Sequence, residues 1–154
     1  MQNNTRYQAG CFYCDHSELQ EERMIEIMPL HVATVYLNKD QTHFGRVIVA
    51  LNWHVDELFE LTTEERYEFC TDVAMAAKAI KKVTNAQKIN YAIYGDTVSH
   101  LHFHLVPKYE SDNDWNEAFV NTPELPKLLK DTDYQNIIEN IVRKLEEEYE
   151  AIRN

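Results

Sequence analysis

The segment His100-Leu-His-Phe-His104 sets three imidazoles two residues apart, with apolar residues between them. An extended chain alternates its side chains, so on a strand all three rings fall on one face and Leu101, Phe103 and Leu105 on the other. Three buried rings without partners would be too costly to keep, so the row points to catalysis or metal binding rather than to a merely polar strand face. Two chemistries fit. All three rings can ligate one metal ion. Alternatively His102, flanked by groups able to orient it, is a nucleophile: neutral imidazole attacks phosphorus, and water or another nucleophile later breaks the phosphoramidate. His104 then donates to phosphoryl oxygens on which charge grows in the transition state, and His100 orients the site or serves elsewhere.

Cys11-Phe-Tyr-Cys14 is a second chemical pair. Its spacing suits two thiolates on one metal, and it also occurs in redox sites and as plain packing. Cys11, Cys14, His54 and His100 together form a soft-donor set compatible with tetrahedral zinc, provided the N-terminal segment closes against the histidine strand. Three cysteines do not make a disulfide scaffold, and Cys70, within a helical pattern, reads as a small buried hydrophobe. His16, His31 and His43 have no comparably tight neighbours.

These groups need a sheet to hold them. Met24 to Met28, Val32 to Leu37, Val47 to Leu51, Lys88 to Tyr94 and His100 to Val106 read as strands, with turns at Asn38–His43 and Gly95-Asp96-Thr97. Thr62 and Glu65 have capping-box spacing, and Tyr67, Cys70, Val73, Ala77 and Ile80 recur at helical intervals, predicting a helix over Thr63–Val83. Thr132 and Gln135 form a second such pair ahead of Tyr134, Ile138, Ile141, Leu145, Tyr149 and Ile152, predicting a C-terminal helix over about 133–153. Its apolar face covers its own sheet or joins a subunit interface. Glu110 to Leu129, with Trp115 and Phe119, reads as an anchored loop. The expectation is one α+β domain over residues 1–154, an antiparallel sheet with two main helices, rather than a doubly wound nucleotide fold. No glycine-rich phosphate loop occurs, so phosphate must be held by side chains or helix termini.

A formal charge of −11 argues against a nucleic-acid polymer as partner, while leaving room for a small anion in a local pocket. The acid excess over Glu57–Glu68 and Glu146–Glu148 reads as solvated helix surface. The start, MQNNTRYQAG, has no secretory pattern and no long apolar window occurs, so a cytoplasmic location away from membranes is the default.

The row His100-Leu-His-Phe-His-Leu-Val106, followed by Pro107-Lys108, resembles the defining pattern of the histidine-triad family. The surrounding order resembles it too: Val35-Tyr-Leu-Asn38, Gly45, the Val47 to Leu51 strand, His54-Val-Asp-Glu-Leu58 and Leu61-Thr-Thr-Glu-Glu65. Together these cover roughly Cys11 to Lys108. The resemblance implies an antiparallel sheet with helices, a homodimer, and hydrolysis or transfer at the α-phosphate of a small nucleotide, with His102 as nucleophile and His100 and His104 completing the triad. It puts Asn38 at a ribose-holding position and Thr97 near a phosphate-binding hydroxyl; each serves equally well as a turn residue. It also implies a structural Zn2+ on Cys11, Cys14, His54 and His100. The chain departs from the family pattern at Asp96, where glutamine helps hold substrate in many members, and at Arg46, where some place a further histidine. Arg46 supplies positive charge there or simply faces solvent in a salt bridge. Trp53, Trp115 and Tyr109 line a base pocket, edge a dimer or pack. A dinucleoside polyphosphate or nucleoside phosphoramidate hydrolase is the leading reading. A nucleotidyltransferase using the same intermediate, a nucleotide-binding interaction protein with little turnover, and a metal module using all three histidines are the alternatives.

Overall fold

The computed structural model describes residues 6–154; residues 1–5, part of the start read above for targeting, lie outside them. Five strands, β1 (Met24–Pro29), β2 (Ala33–Asn38), β3 (Val47–Leu51), β4 (Lys88–Ala92) and β5 (His102–Lys108), form one antiparallel sheet in the order β1-β2-β3-β5-β4. Three helices accompany it: α1 (Glu18–Arg23), α2 (Thr63–Thr84) and α3 (Asp131–Arg153). This is the α+β architecture expected from the sequence. The short α1 and a 3₁₀ turn at Leu58–Glu60 were not expected, since neither is long enough to show a period.

Alternation along the strands divides the sheet into two faces. Val35, Leu37, Val47, Val49, Leu51 and Leu105 pack with Phe69, Val73, Ala76 and Ile80 of α2 and Ile137, Ile141 and Leu145 of α3. On the other face Tyr36, Ile48 and Ala50 pack with Cys11 and Tyr13 of the N-terminal segment. Every residue of β3 is buried, because both faces of this central strand are covered.

The Thr62–Glu65 capping box is formed, with Glu65 N–H on Thr62 Oγ1 at 3.2 Å and Thr62 N–H on Glu65 Oε2 at 2.9 Å. The face expected for α2 is corrected: Tyr67 is 75% exposed and Cys70 is exposed rather than buried. The buried stripe runs through Phe69, Asp72, Val73 and Ala76, and a carboxylate at its centre disguised it. Asp72 is buried because it accepts N–H bonds from Val32 at 2.8 Å and Ala33 at 3.1 Å, tying α2 to the β1–β2 turn. The Thr132–Gln135 box is also corrected. The helix already begins at Asp131, its N-cap is Lys130 without a side-chain bond, and Gln135 instead donates to Glu139 at 3.1 Å. Tyr134 holds that end, its hydroxyl on the Lys39 carbonyl at 2.6 Å. Among the described residues no helix is long and apolar enough to cross a membrane.

Candidate active site and metal centre

His102 and His104 project from β5 on the face away from the helices, opposite Ala50 and Ile48 of β3, with ring centroids 5.0 Å apart. They line a cleft of about 930 Å³. Its lining includes apolar side chains, Phe12, Tyr13, Met24, Ile48 and Val98, together with residues 94–97 and Asn121, Pro123 and Leu128. The charged lining balances, with Arg23, Lys39 and Arg46 against Glu22, Asp40 and Asp96. Anion binding here therefore depends on directed donors more than on net positive charge.

The strand expected to start at His100 starts at His102. The backbone bends at His100; the Leu101 N–H goes to the Val55 carbonyl at 2.9 Å, while its carbonyl accepts from Leu51 at 3.2 Å in line with the β3–β5 register. This bend turns the His100 carbonyl onto Nδ1 of His102 at 2.6 Å. A carbonyl only accepts, so Nδ1 of His102 carries the proton and Nε2 keeps its lone pair, the form a nucleophile needs. His104 has the opposite arrangement. Its Nδ1 lies 3.0 Å from Nη2 of Arg46, a group that only donates, which leaves the proton on Nε2. Burial, followed by His102 and Arg46, holds His104 down to about 3; burial also lowers His102, against the His100 carbonyl that raises it.

His100 does not line the cleft. Its Nε2–H donates to the Leu51 carbonyl at 2.8 Å, and Nδ1 faces Sγ of Cys11 at 3.3 Å and of Cys14 at 3.6 Å. His54 has the same pattern, with Nε2 on Asp56 Oδ1 at 2.9 Å and Nδ1 3.8 Å from Sγ of Cys14. Ser99 Oγ donates to the same Oδ1 of Asp56 at 2.6 Å. The four donor atoms lie within 4.8 Å of one another. Around an ion with bonds of about 2.0–2.3 Å, tetrahedral ligands stand roughly 3.3–3.8 Å apart, so the cluster is a Cys2His2-type metal-binding candidate whose histidines already have their outer partners. His102 and His104 are not among its donors, contrary to the reading with all three triad rings on one ion. Burial outweighs the Leu51 bond and holds His100 at about 4.

The remaining expected residues divide. Asn38 and Thr97 both line the cleft, and Nδ2 of Asn38 donates to the Asp40 carbonyl at 3.0 Å, so it also serves the turn. Trp53, Trp115 and Tyr109 are absent from the cleft wall; the Tyr109 hydroxyl is taken by the Thr84 carbonyl at 2.6 Å. The solvent-facing reading of Arg46 is corrected. Arg46 is only 4% exposed, and its Nη1 and Nη2 reach the Asn121 carbonyl at 3.0 Å and Oδ1 at 2.7 Å. Asn121 belongs to the anchored segment after β5, which Lys108 and His43 hold through Asp114, both at 2.9 Å. Phe12, Tyr13, Tyr94 and Asn121 were missed as cleft residues. For Phe12 and Tyr13 the flanking cysteines were the available signal.

A model of the HIT domain matches residues 27–111. The chain is 26% identical to the AP-4-A phosphorylase of Mycobacterium tuberculosis over 121 residues, 75% of this chain and 62% of that protein, so it spans under two thirds of that relative's length. It is 26% identical over 134 residues to adenosine 5'-monophosphoramidase HNT1 of Saccharomyces cerevisiae, 80% of each. A solved Zn-bound histidine triad family protein from Mycobacterium smegmatis superposes with a TM-score of 0.65 at 19% identity, covering 92% of this chain and 97% of that one, a likeness of fold.

Proposed function

The chain belongs to the HIT domain family, and from that premise we propose that it hydrolyses nucleotides at the α-phosphate through a nucleotidyl-histidine intermediate. The observation that carries this reading is the pair of opposed tautomers, His102 with a free Nε2 lone pair and His104 with an Nε2 proton, side by side in one cleft. His102 Nε2 attacks the α-phosphorus, the P–O or P–N bond to the leaving group breaks, and water then displaces the histidine to release a nucleoside monophosphate. His104 donates to a phosphoryl oxygen as charge gathers there. Thr97 adds a hydroxyl at the phosphates, and Asn38 offers Oδ1 to a ribose hydroxyl. The apolar part of the lining, Phe12, Tyr13, Met24 and Ile48, receives the base.

Dinucleoside polyphosphates and nucleoside phosphoramidates are the substrate classes, supported by the activities named for the two curated relatives. His100 acts in this reading through its carbonyl and as a metal ligand. Zn2+ on Cys11, Cys14, His54 and His100 would fasten the N-terminal segment and the bend that aims His102, and the matched outer partners of both histidines support it. Free cysteines poised for a metal suit a reducing compartment, so the proposed location is the cytoplasm. A homodimer completes the proposal, with the open edge of β4, where Tyr91 is 54% exposed, as the face for a second copy.

The test is nucleoside monophosphate release from a panel of adenosine and guanosine dinucleoside polyphosphates and phosphoramidates, wild type against folded His102→Ala. The expected outcome is turnover lost by about 10³-fold or more in the variant. Inorganic phosphate in the same assay separates hydrolysis from transfer, because phosphorolysis yields the diphosphate. Undiminished turnover in His102→Ala would overturn the mechanism.

A further inference from the structure

Arg46 is a costly residue where it stands. It is buried, with no acidic side chain at ion-pairing distance among the described residues, and its Nε–H has no partner. Its direct partners are the oxygens of Asn121, Nδ1 of His104, and the face of Phe119, 5.1 Å from the guanidinium carbon, while the Asp40 carboxylate acts on it from beyond ion-pairing distance. A buried cation so incompletely compensated is a poor stability device. The hydrogen bonds of its side chain lead to His104 and to Asn121, which lines the cleft.

We propose that Arg46 is the positioning residue of this site: it locks His104 in the neutral Nε2–H tautomer and ties the segment carrying Asn121 to that ring. The argument is one of donors and acceptors. A guanidinium has five N–H groups, no lone pair, and keeps its proton at any pH the fold survives. Its contact with Nδ1 therefore requires a lone pair there. A proton on Nδ1 would set two donors against each other at 3.0 Å, and a doubly protonated ring would add a second buried cation. His104 is thereby kept a hydrogen-bond donor through Nε2 and is removed as an acid–base group. Tyr94 and Phe119 flank the ring, at centroid distances of 5.5 and 6.3 Å, and His102 is the other titratable neighbour; among the described residues the hydrogen bond at Nδ1 is the one from Arg46. The same guanidinium grips both the backbone and the side chain of Asn121, so the donor ring and the cleft wall are set by one residue.

The inference rests on the reading that His102 and His104 form the active site, and its first readout is independent of turnover. Ring-nitrogen NMR of 15N-histidine-labelled protein, with His104 assigned by His104→Gln, should show pyrrole-like Nε2 and pyridine-like Nδ1 in the wild type. Arg46→Met, of similar length but without donors, should shift His104 to a mixture of tautomers and lower kcat by about 10–100-fold, the scale on which orienting partners act, with KM changed less. Arg46→Lys keeps a side chain that only donates and should restore both the tautomer and most of kcat. A wild-type His104 protonated at Nδ1, or an Arg46→Met spectrum identical to wild type, overturns the proposal. If Arg46→Met does not fold, the wild-type and Arg46→Lys spectra decide it. Absence of nucleotide turnover with the tautomers as described would instead count against the proposed function alone.

Discussion

Gly45 stands in the β2–β3 turn immediately before Arg46, at φ +84°. A Cβ there would lie 2.3 Å from Cγ2 of Thr84 and 3.4 Å from Cγ of Pro107. Thr84 cannot turn its methyl away cheaply, because its hydroxyl is held on the Ile80 carbonyl at 2.7 Å. Gly45→Ala therefore carries two costs. Left-handed backbone costs an L-residue roughly 1–2 kcal/mol, and the overlap about 1–3 kcal/mol, for a total of about 2–5 kcal/mol. In a chain of this size that lowers Tm by roughly 4–20 °C. Gly10 has nearly the same backbone, φ +81°, with nothing within 4 Å of its Cβ position, so Gly10→Ala isolates the backbone cost. Thr84→Ser removes the offending methyl and, combined with Gly45→Ala, should recover the steric part while leaving the backbone part. Urea and thermal melts of the four variants against wild type make the measurement. A Gly45→Ala loss no larger than that of Gly10→Ala, or no recovery with Thr84→Ser, refutes the reasoning.

Activity should depend on pH through His102. Burial places its pKa below the ordinary 6.5, so the neutral nucleophile persists into mild acid and kcat/KM falls only below that value; an acid limb centred at or above pH 7 contradicts this. Asp72→Ala strands the Val32 and Ala33 N–H groups in the core and should cost about 2–4 kcal/mol in urea denaturation, with Asp72→Asn, which keeps one acceptor, closer to wild type. Chelated protein reloaded with Co2+ should develop the absorption of a tetrahedral thiolate site and lose it in Cys14→Ser; an octahedral spectrum would exclude the Cys2His2 set.

The fold was legible where sequence period and burial coincide. The alternation at His100–Leu105 marked the strand and its two faces, and Thr62 with Glu65 marked the start of α2. The period misled where polar residues are buried for reasons of bonding. Asp72 interrupts the true stripe of α2, and Tyr67 and Cys70 offered a neighbouring stripe of equal spacing. The site was legible as a set of residue types but not as a set of protons. The bend at His100 leaves its ring to the cysteines and its carbonyl to His102, and no spacing rule encodes such a bend. Arg46 was ambiguous because its partner, Asn121, lies in the irregular segment after β5, where periodicity says nothing about what a side chain reaches.

The strand order has a kinetic consequence. β1, β2 and β3 form a meander of local hairpins, and β4 with β5 forms another, each reachable by short loop closure. Joining them needs β3 to find β5 across the whole of α2, pairing residue 50 with residue 102. That closure has the greatest entropic cost in the sheet and comes slowly. His102 and His104 sit on this seam, so a chain with both hairpins formed and the seam unmade has most of its secondary structure and no cleft. Recovery of ligand binding during refolding should thus lag recovery of far-UV circular dichroism.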